Sequence, residues 1–205
     1  MSVLHKLPAQ ERKAAIVEAA IHLFAEKGFR GATTRELASA AGVSEPVLYQ
    51  HFATKSELYA AIIESKLGDI QRVTAEVESF RETVDDAAFF TFLAQLIIDF
   101  HDENPSYLRL LLFSGLERHE LADQFHQRES KVFVEAVIEH VRRSVERGIF
   151  RADLDPAVVA LSFMGMVANY GLERILGKES NWPQDRTAII KTMVCIFLAG
   201  IRRKA

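Results

Sequence analysis

Several features are scarce or missing in this chain, and each absence excludes a class of protein or a type of functional site. A single cysteine, Cys195, excludes an intramolecular disulfide and favours a reducing compartment. No run approaches the roughly 20 apolar residues that span a bilayer, and the first eight residues lack the apolar core of a signal peptide. We therefore expect a soluble cytoplasmic protein without a membrane partner.

Catalytic motifs and a strong charge are also missing. The sequence contains neither a glycine-rich phosphate loop nor a nucleophile elbow, so we expect no enzyme and no cofactor. The formal net charge is only -3. Residues 1–58 contain seven Lys/Arg and six Asp/Glu, which leaves eighteen and twenty-two in the remainder. Global charge therefore neither indicates nor excludes nucleic acid as a partner.

Strand patterns are absent as well, since apolar residues recur at three- and four-residue spacing almost throughout. We predict an all-α fold of about nine helices. The first ends at Gly28, the second has a Thr33–Glu36 capping box, and the third is capped by Ser44 and ends near Phe52. A long helix from Lys55 follows without a flexible linker, and the later helices are predicted over 85–101, 105–113, 120–147, 155–176 and 184–203.

The second and third helices are joined through Ala41-Gly42-Val43-Ser44, which is typical of a helix-turn-helix. At about 100° per residue, Leu48 and Phe52 share one side of the third helix and can pack inward. The residues predicted to project from the opposite side and the two flanks are Pro46, Val47, Gln50, Tyr49 and His51. Such a helix can enter the major groove of DNA.

Residues 10–60 resemble the DNA-binding module of tetracycline-repressor-like regulators. The resemblance rests on several spacings that agree at once: Phe24-Ala-Glu-Lys-Gly28, Thr33-Thr34-Arg35-Glu36-Leu37-Ala38, Ala41-Gly42-Val43-Ser44-Glu45-Pro46-Val47-Leu48-Tyr49-Gln50-His51-Phe52, and Lys55. It implies phosphate contacts from Thr34, Tyr49, His51 and Lys55, and base contacts from Arg35 and Gln50. Glu45 departs from the neutral polar residue familiar in the family. It can accept from cytosine or simply stabilise its helix N-terminus.

Two other motifs favour structural interpretations. His119-Glu120-Leu121-Ala122-Asp123, with His126 beyond, partly matches a zinc-protease motif but lacks the remaining ligands, so we expect no metal site and rank a metal-dependent hydrolase third. Cys195 lies among apolar residues, which favours a buried and unreactive thiol.

The region after Leu58 is rich in aromatic residues, and the resemblance implies a ligand pocket there. Candidate lining residues are Phe89, Phe92, Leu96, Tyr107, Leu111, His126, Phe133, Met164 and Tyr170. The last two helices are apolar on more than one side, which predicts burial against both the domain core and a second copy. Candidate interface residues are Ala157, Ala160, Met164, Ala168, Gly171, Ile190, Val194, Phe197 and Ile201.

These patterns predict a DNA-binding domain over residues 1–54 and a helical effector-binding and dimerisation domain over residues 55–205. The expected protein is a homodimeric repressor that binds a palindromic double-stranded operator and is released by an unknown small-molecule effector. The alternative is a DNA-binding organiser regulated by a protein partner.

Overall fold

The computed structural model describes residues 8–80, 82–118, 131–177 and 182–203, with the backbone alone over residues 67–70. The described residues form nine helices: α1 (Ala9–Gly31), α2 (Thr34–Ala40), α3 (Glu45–His51), α4 (Lys55–Phe80), α5 (Asp86–Glu103), α6 (Pro105–Leu116), α7 (Lys131–Glu146), α8 (Pro156–Ile175) and α9 (Arg186–Ile201). The predicted all-α fold and helix order are confirmed. The predicted start of the seventh helix, at residue 120, lies outside the described residues.

The predicted helix boundaries in the N-terminal part have local causes. The Thr33 hydroxyl accepts from the Glu36 amide at 3.2 Å, and the Glu36 carboxylate accepts from the Thr33 amide at 2.9 Å, which is the predicted capping box. Gly28, the predicted end of the first helix, instead interrupts α1 with φ 72° and ψ 175°, and the helix continues to Gly31. Ser44 occupies the N-cap position of α3, but its side chain makes no capping hydrogen bond. The predicted cap position is therefore confirmed, without a side-chain hydrogen bond.

The chain divides into two compact units. The first unit comprises residues 1–70 and 104–127, and the second comprises residues 71–103 and 128–205. The first unit includes α6 because that helix packs against α1, where Ser106 Oγ lies 3.0 Å from His22 Nδ1. The proposed functional boundary at residue 54 is a different division and stays a prediction.

Apolar stripes of α1, α2, α3, α4 and α6 form the core of the first unit. Phe24 is fully buried, and its ring meets Tyr59 edge-on with centroids 4.9 Å apart. Tyr59 also meets Phe29 at 4.9 Å, so the end of α1 and the start of α4 share one aromatic cluster. Burial raises the pKa of the Tyr59 phenol to about 12.

The second unit has a larger core, built by the end of α4 together with α5, α7, α8 and α9. Phe90 packs against Phe163 and Phe197, with both ring centroids at 4.9 Å. A short antiparallel pairing closes the end of α9, where the Arg203 amide donates to the Ile149 carbonyl at 2.9 Å. No helix among the described residues has both the length and the apolar composition of a membrane span.

His101 lies in a close contact between α5 and α8. A Cβ atom on Gly171 would be 2.2 Å from His101 Nδ1, so the imidazole occupies the space that a side chain would need. Burial lowers the pKa of His101 to about 4, and the ring is therefore neutral near pH 7. Beside it, Arg174 pairs with Asp102 at 2.8 Å, and Arg186 pairs with Asp99.

We predict that Gly171→Ala destabilises the protein by about 1–3 kcal/mol, because the added methyl overpacks the His101 contact. Chemical unfolding measures this change. Gly165→Ala is the matched control in α8, since an added Cβ there has no atom within 4 Å. It should leave stability unchanged or raise it by up to about 1 kcal/mol. If His101→Ala does not relieve the defect of Gly171→Ala, the assigned cause is wrong.

Candidate nucleic-acid interface

A tight turn sets the crossing of the two short helices. Gly42 adopts φ 65°, a left-handed conformation that favours glycine. The Val43 amide then donates to the Ala38 carbonyl at 2.9 Å, and the Gly42 amide donates to the Ser39 carbonyl at 3.0 Å. These bonds provide donors for carbonyl groups at the end of α2 and direct the chain into α3, as in a helix-turn-helix.

Helix α3 presents two different faces. Leu48 is 3% exposed and packs inward, whereas Tyr49 is 48% exposed. Pro46 and Gln50 are also exposed, and Val47 and His51 are half-buried. The face predicted to read bases is therefore accessible, while the individual base and phosphate contacts stay predictions.

The start of α2 lies beside the start of α3. Thr34 Oγ1 donates to Glu45 Oε2 at 3.3 Å, so two predicted DNA contacts bind each other across the motif. This bond gives Glu45 a structural role in addition to any contact with a base. Arg35, the next residue of α2, is exposed and can reach a base edge or a phosphate.

Lys55, a predicted phosphate contact, is directed toward the end of α1. Its ammonium donates to the carbonyl of Phe29 at 2.5 Å and to that of Ala32 at 2.9 Å, and it lies 4.2 Å from the Phe29 ring centroid. Partial burial lowers the pKa of this ammonium from its ordinary value. Lys55 thus cross-links the starting segment of α4 to the loop before α2, whatever it does with DNA.

Glu117, which follows α6, is a positioning residue that the sequence interpretation missed. Its carboxylate accepts from the Phe29 amide at 3.0 Å and from the Arg30 amide at 3.3 Å. A Cβ on Gly28 would lie 2.6 Å from Glu117 Oε1, so glycine is needed there for space as well as for its positive φ. No local signal marks Glu117, since its partners are 87 and 88 residues away.

A second link ties α1 to α2. Lys27 Nζ lies 2.6 Å from Glu36 Oε1, and this bond, with the Thr33 contacts, lowers the pKa of Glu36 to about 2. The two side chains are 38% and 39% exposed, so the pair contributes little to stability.

The residues predicted to line a ligand pocket fall in both units. Phe89, Leu96 and Tyr170 are buried in the second unit, with Phe92, Phe133 and Met164 partly buried against the same core. Tyr107 and Leu111 are buried in the first unit, and His126 lies outside the described residues, as do His119 and Asp123. The pocket stays a prediction.

The predicted interface residues also separate by exposure. Ala157 and Ala168 are exposed and Met164 and Phe197 are half-buried, whereas the remaining five pack inside the protomer, namely Ala160, Gly171, Ile190, Val194 and Ile201. Three large apolar side chains of α8 and α9 that are not among the predicted interface residues are exposed: Val158 at 62%, Leu161 at 61% and Ile196 at 65%. The interface as a whole stays a prediction. Cys195 is exposed, so the prediction of a buried thiol is wrong.

We predict that Glu117→Gln weakens the first unit by about 1–3 kcal/mol, because an amide replaces a charged acceptor of two N–H groups. Hydrogen exchange at the Phe29 and Arg30 amides should accelerate. Glu64→Gln, an exposed change on α4, is the matched control and should leave both amides protected. Unchanged exchange at both amides in Glu117→Gln would contradict the assigned role.

Comparisons with known proteins agree with this geometry. Residues 16–62 match the family model for bacterial regulatory proteins, tetR family. The HTH-type transcriptional activator FasR of Mycolicibacterium smegmatis is 33% identical over 107 residues, covering 52% of this chain and 48% of that protein, or about half its length. The HTH-type transcriptional repressor SCO4008 of Streptomyces coelicolor is 29% identical over 161 residues, covering 78% of each chain.

A solved structure extends the similarity in fold to the whole chain. A TetR family transcriptional regulator from Chloroflexus aurantiacus superposes with a TM-score of 0.74 at 17% identity, covering 100% of this chain and 99% of that one. The matched motif, the helix order and these relatives lead to one conclusion. Over residues 16–62 the chain matches the tetR family of bacterial regulatory proteins, and over its whole length it shares the fold of a TetR family transcriptional regulator.

Proposed function

We propose that this chain is a homodimeric repressor that binds a palindromic operator and leaves it when a small-molecule effector binds. The observation that carries the DNA-binding part is the exposed face of α3, with Tyr49 and Gln50 opposite buried Leu48. Repression is supported by the similarity to SCO4008 over 78% of each chain. Residues 1–54 would form the DNA-binding domain and residues 55–205 the domain that binds the effector and the second copy.

A two-fold dimer matches a palindromic site. Regulators of this family act as dimers, and two recognition helices must lie about 34–36 Å apart to enter successive major grooves. The exposed apolar residues of α8 and α9, which are Val158, Leu161 and Ile196, offer a surface for the second copy. Burying them would remove apolar area from water.

Release from DNA on effector binding requires a structural connection between the effector-binding domain and the recognition helices. Helix α4 is continuous from Lys55, which holds the end of α1, to Phe80, which stacks on Phe92 at 4.2 Å. An effector that binds one conformation of the second unit more tightly would shift α4 and change the spacing of the two recognition helices. Native mass spectrometry of protein purified from its own host identifies a retained effector, and operator titration with that molecule tests release.

We predict that Gln50→Ala and Arg35→Ala each cost about 1–3 kcal/mol of discrimination at one base position per half-site. Selection from random DNA at two salt concentrations measures this. Gln10→Ala, an exposed change on α1, is the control for Gln50 and should preserve the selected sequence. Arg35→Ala should also reduce the salt dependence, because it removes a charge near the phosphates. An unchanged sequence preference in both variants would exclude these residues from base reading.

We predict that Leu161→Glu converts the dimer to a monomer, because a charge buried at the interface loses its hydration without gaining a partner. Sedimentation equilibrium of the full chain at micromolar concentration measures the change. Val84→Glu is the matched control, since Val84 is 72% exposed but lies outside α8 and α9. A monomeric wild-type chain, or a Leu161→Glu variant that remains dimeric, would refute this interface.

A further inference from the structure

The second unit contains a cavity of about 230 Å³ that is open to solvent, beside the segment between α4 and α5. Its lining comes from that segment, from the C-terminal part of α7 and from the residue that follows it: Glu82, Thr83, Val84, His140, Arg143, Glu146 and Arg147. This volume is below the roughly 300–1,000 Å³ of pockets for drug-sized ligands. The cavity can therefore hold only a small molecule.

Buried polar groups fix the base of the cavity. His140 is 1% exposed, stacks on Phe89 at 4.0 Å, and its Nε2 lies 2.8 Å from Asp86 Oδ1. Ser144, also buried, donates to the same carboxylate oxygen at 2.9 Å and accepts from Arg147 at 2.8 Å. Asp86 is thereby held among three polar partners, with Arg147 at 3.6 Å. Such a network gives the arginine a defined position at the cavity wall.

Two arginines one helical turn apart line this cavity. Arg143 and Arg147 are 30% and 35% exposed, respectively. Like charges at this spacing repel each other by a few tenths of a kcal/mol, a cost that Glu82 beside Arg143 and Asp86 beside Arg147 already reduce. A guanidinium carries five N–H donors in a planar fork that matches the oxygens of a carboxylate or phosphate.

The two carboxylates of the lining are exposed to solvent. Glu82 is 87% exposed and pairs with Arg143 at 3.2 Å, and Glu146 is exposed. An exposed pair of this kind contributes only about 0–1 kcal/mol. A dissolved anion can therefore displace the Glu82 side chain into water with little loss. A cation, in contrast, would have to approach the two guanidinium groups.

We propose that this cavity is a binding site for a small oxyanion, a carboxylate or a phosphate, held between Arg143 and Arg147. The carboxylate of Glu82 occupies part of that site in the structure and competes with the ligand. This site depends neither on the DNA-reading residues nor on the proposed dimer.

Calorimetric titration of the full chain at low ionic strength tests the proposal, with sodium phosphate and sodium succinate as separate probes. Arg143→Gln should weaken binding by about tenfold or more, because it removes a charge-assisted contact. Arg142→Gln is the matched control: it removes the same charge from the neighbouring exposed residue, which does not line the cavity, and should leave binding unchanged. Glu82→Gln should tighten binding by up to about fivefold, because it removes the competing carboxylate.

Arg143→Gln should weaken anion binding and Glu82→Gln should strengthen it, and these opposite changes in affinity make the result decisive. Binding of either probe with this pattern supports the site, and the stronger probe identifies its ligand as a phosphate or a carboxylate. Equal weakening in Arg142→Gln and Arg143→Gln would show attraction to general surface charge and overturn the proposal. Absence of binding by both probes, with or without Glu82→Gln, would overturn it as well. Glu82 is 87% exposed, so that variant is not prone to unfolding.

Discussion

The break in α1 at Gly28 is the constraint on which the DNA-reading geometry depends. The positive φ of Gly28 ends regular hydrogen bonding and leaves the peptide groups near Phe29 in need of partners. Glu117 accepts from the Phe29 and Arg30 amides, and Lys55 donates to the Phe29 and Ala32 carbonyls. The same peptide segment is therefore held by an anion from beyond α6 and a cation from α4. The loop that leads into α2 is fixed by these two charges.

The contacts of Lys55 with this segment change the interpretation of its role in DNA binding. An ammonium has three N–H donors, and two of them are directed to carbonyl oxygens. Loss of Lys55 would leave those carbonyls without their charged donor, and the start of α2 would shift together with Thr34 and Arg35. A defect in DNA affinity after that substitution would combine structural and electrostatic causes. Substitution of Arg35, whose side chain is exposed, separates the electrostatic cause from the structural cause more clearly.

The sequence predicted features with local causes and missed those that depend on distant packing. Helix order and the capping box follow from neighbouring residues, and both are present. Gly28, predicted to end the first helix, interrupts α1, which continues to Gly31. The contact of His101 with Gly171, and of Glu117 with α1, joins segments far apart in the chain, which periodicity cannot detect. Helix α9 is apolar on more than one side, so the pattern could not decide that Ile190 packs inward while Ile196 faces solvent.

The outward apolar residues of α8 and α9 connect stability with recognition. Val158, Leu161 and Ile196 are each more than half exposed in the single chain, although polar residues at these positions would be equally compatible with a helix. Isolated exposed apolar residues are ordinary, and the exposure of three large ones on two helices of one unit is the observation behind the proposed interface with a second copy. One recognition helix contacts only a few base pairs. Two recognition helices held together in a dimer would therefore increase specificity without new types of base contact. In the proposed dimer, the face that covers these residues would therefore also determine how selectively α3 reads DNA.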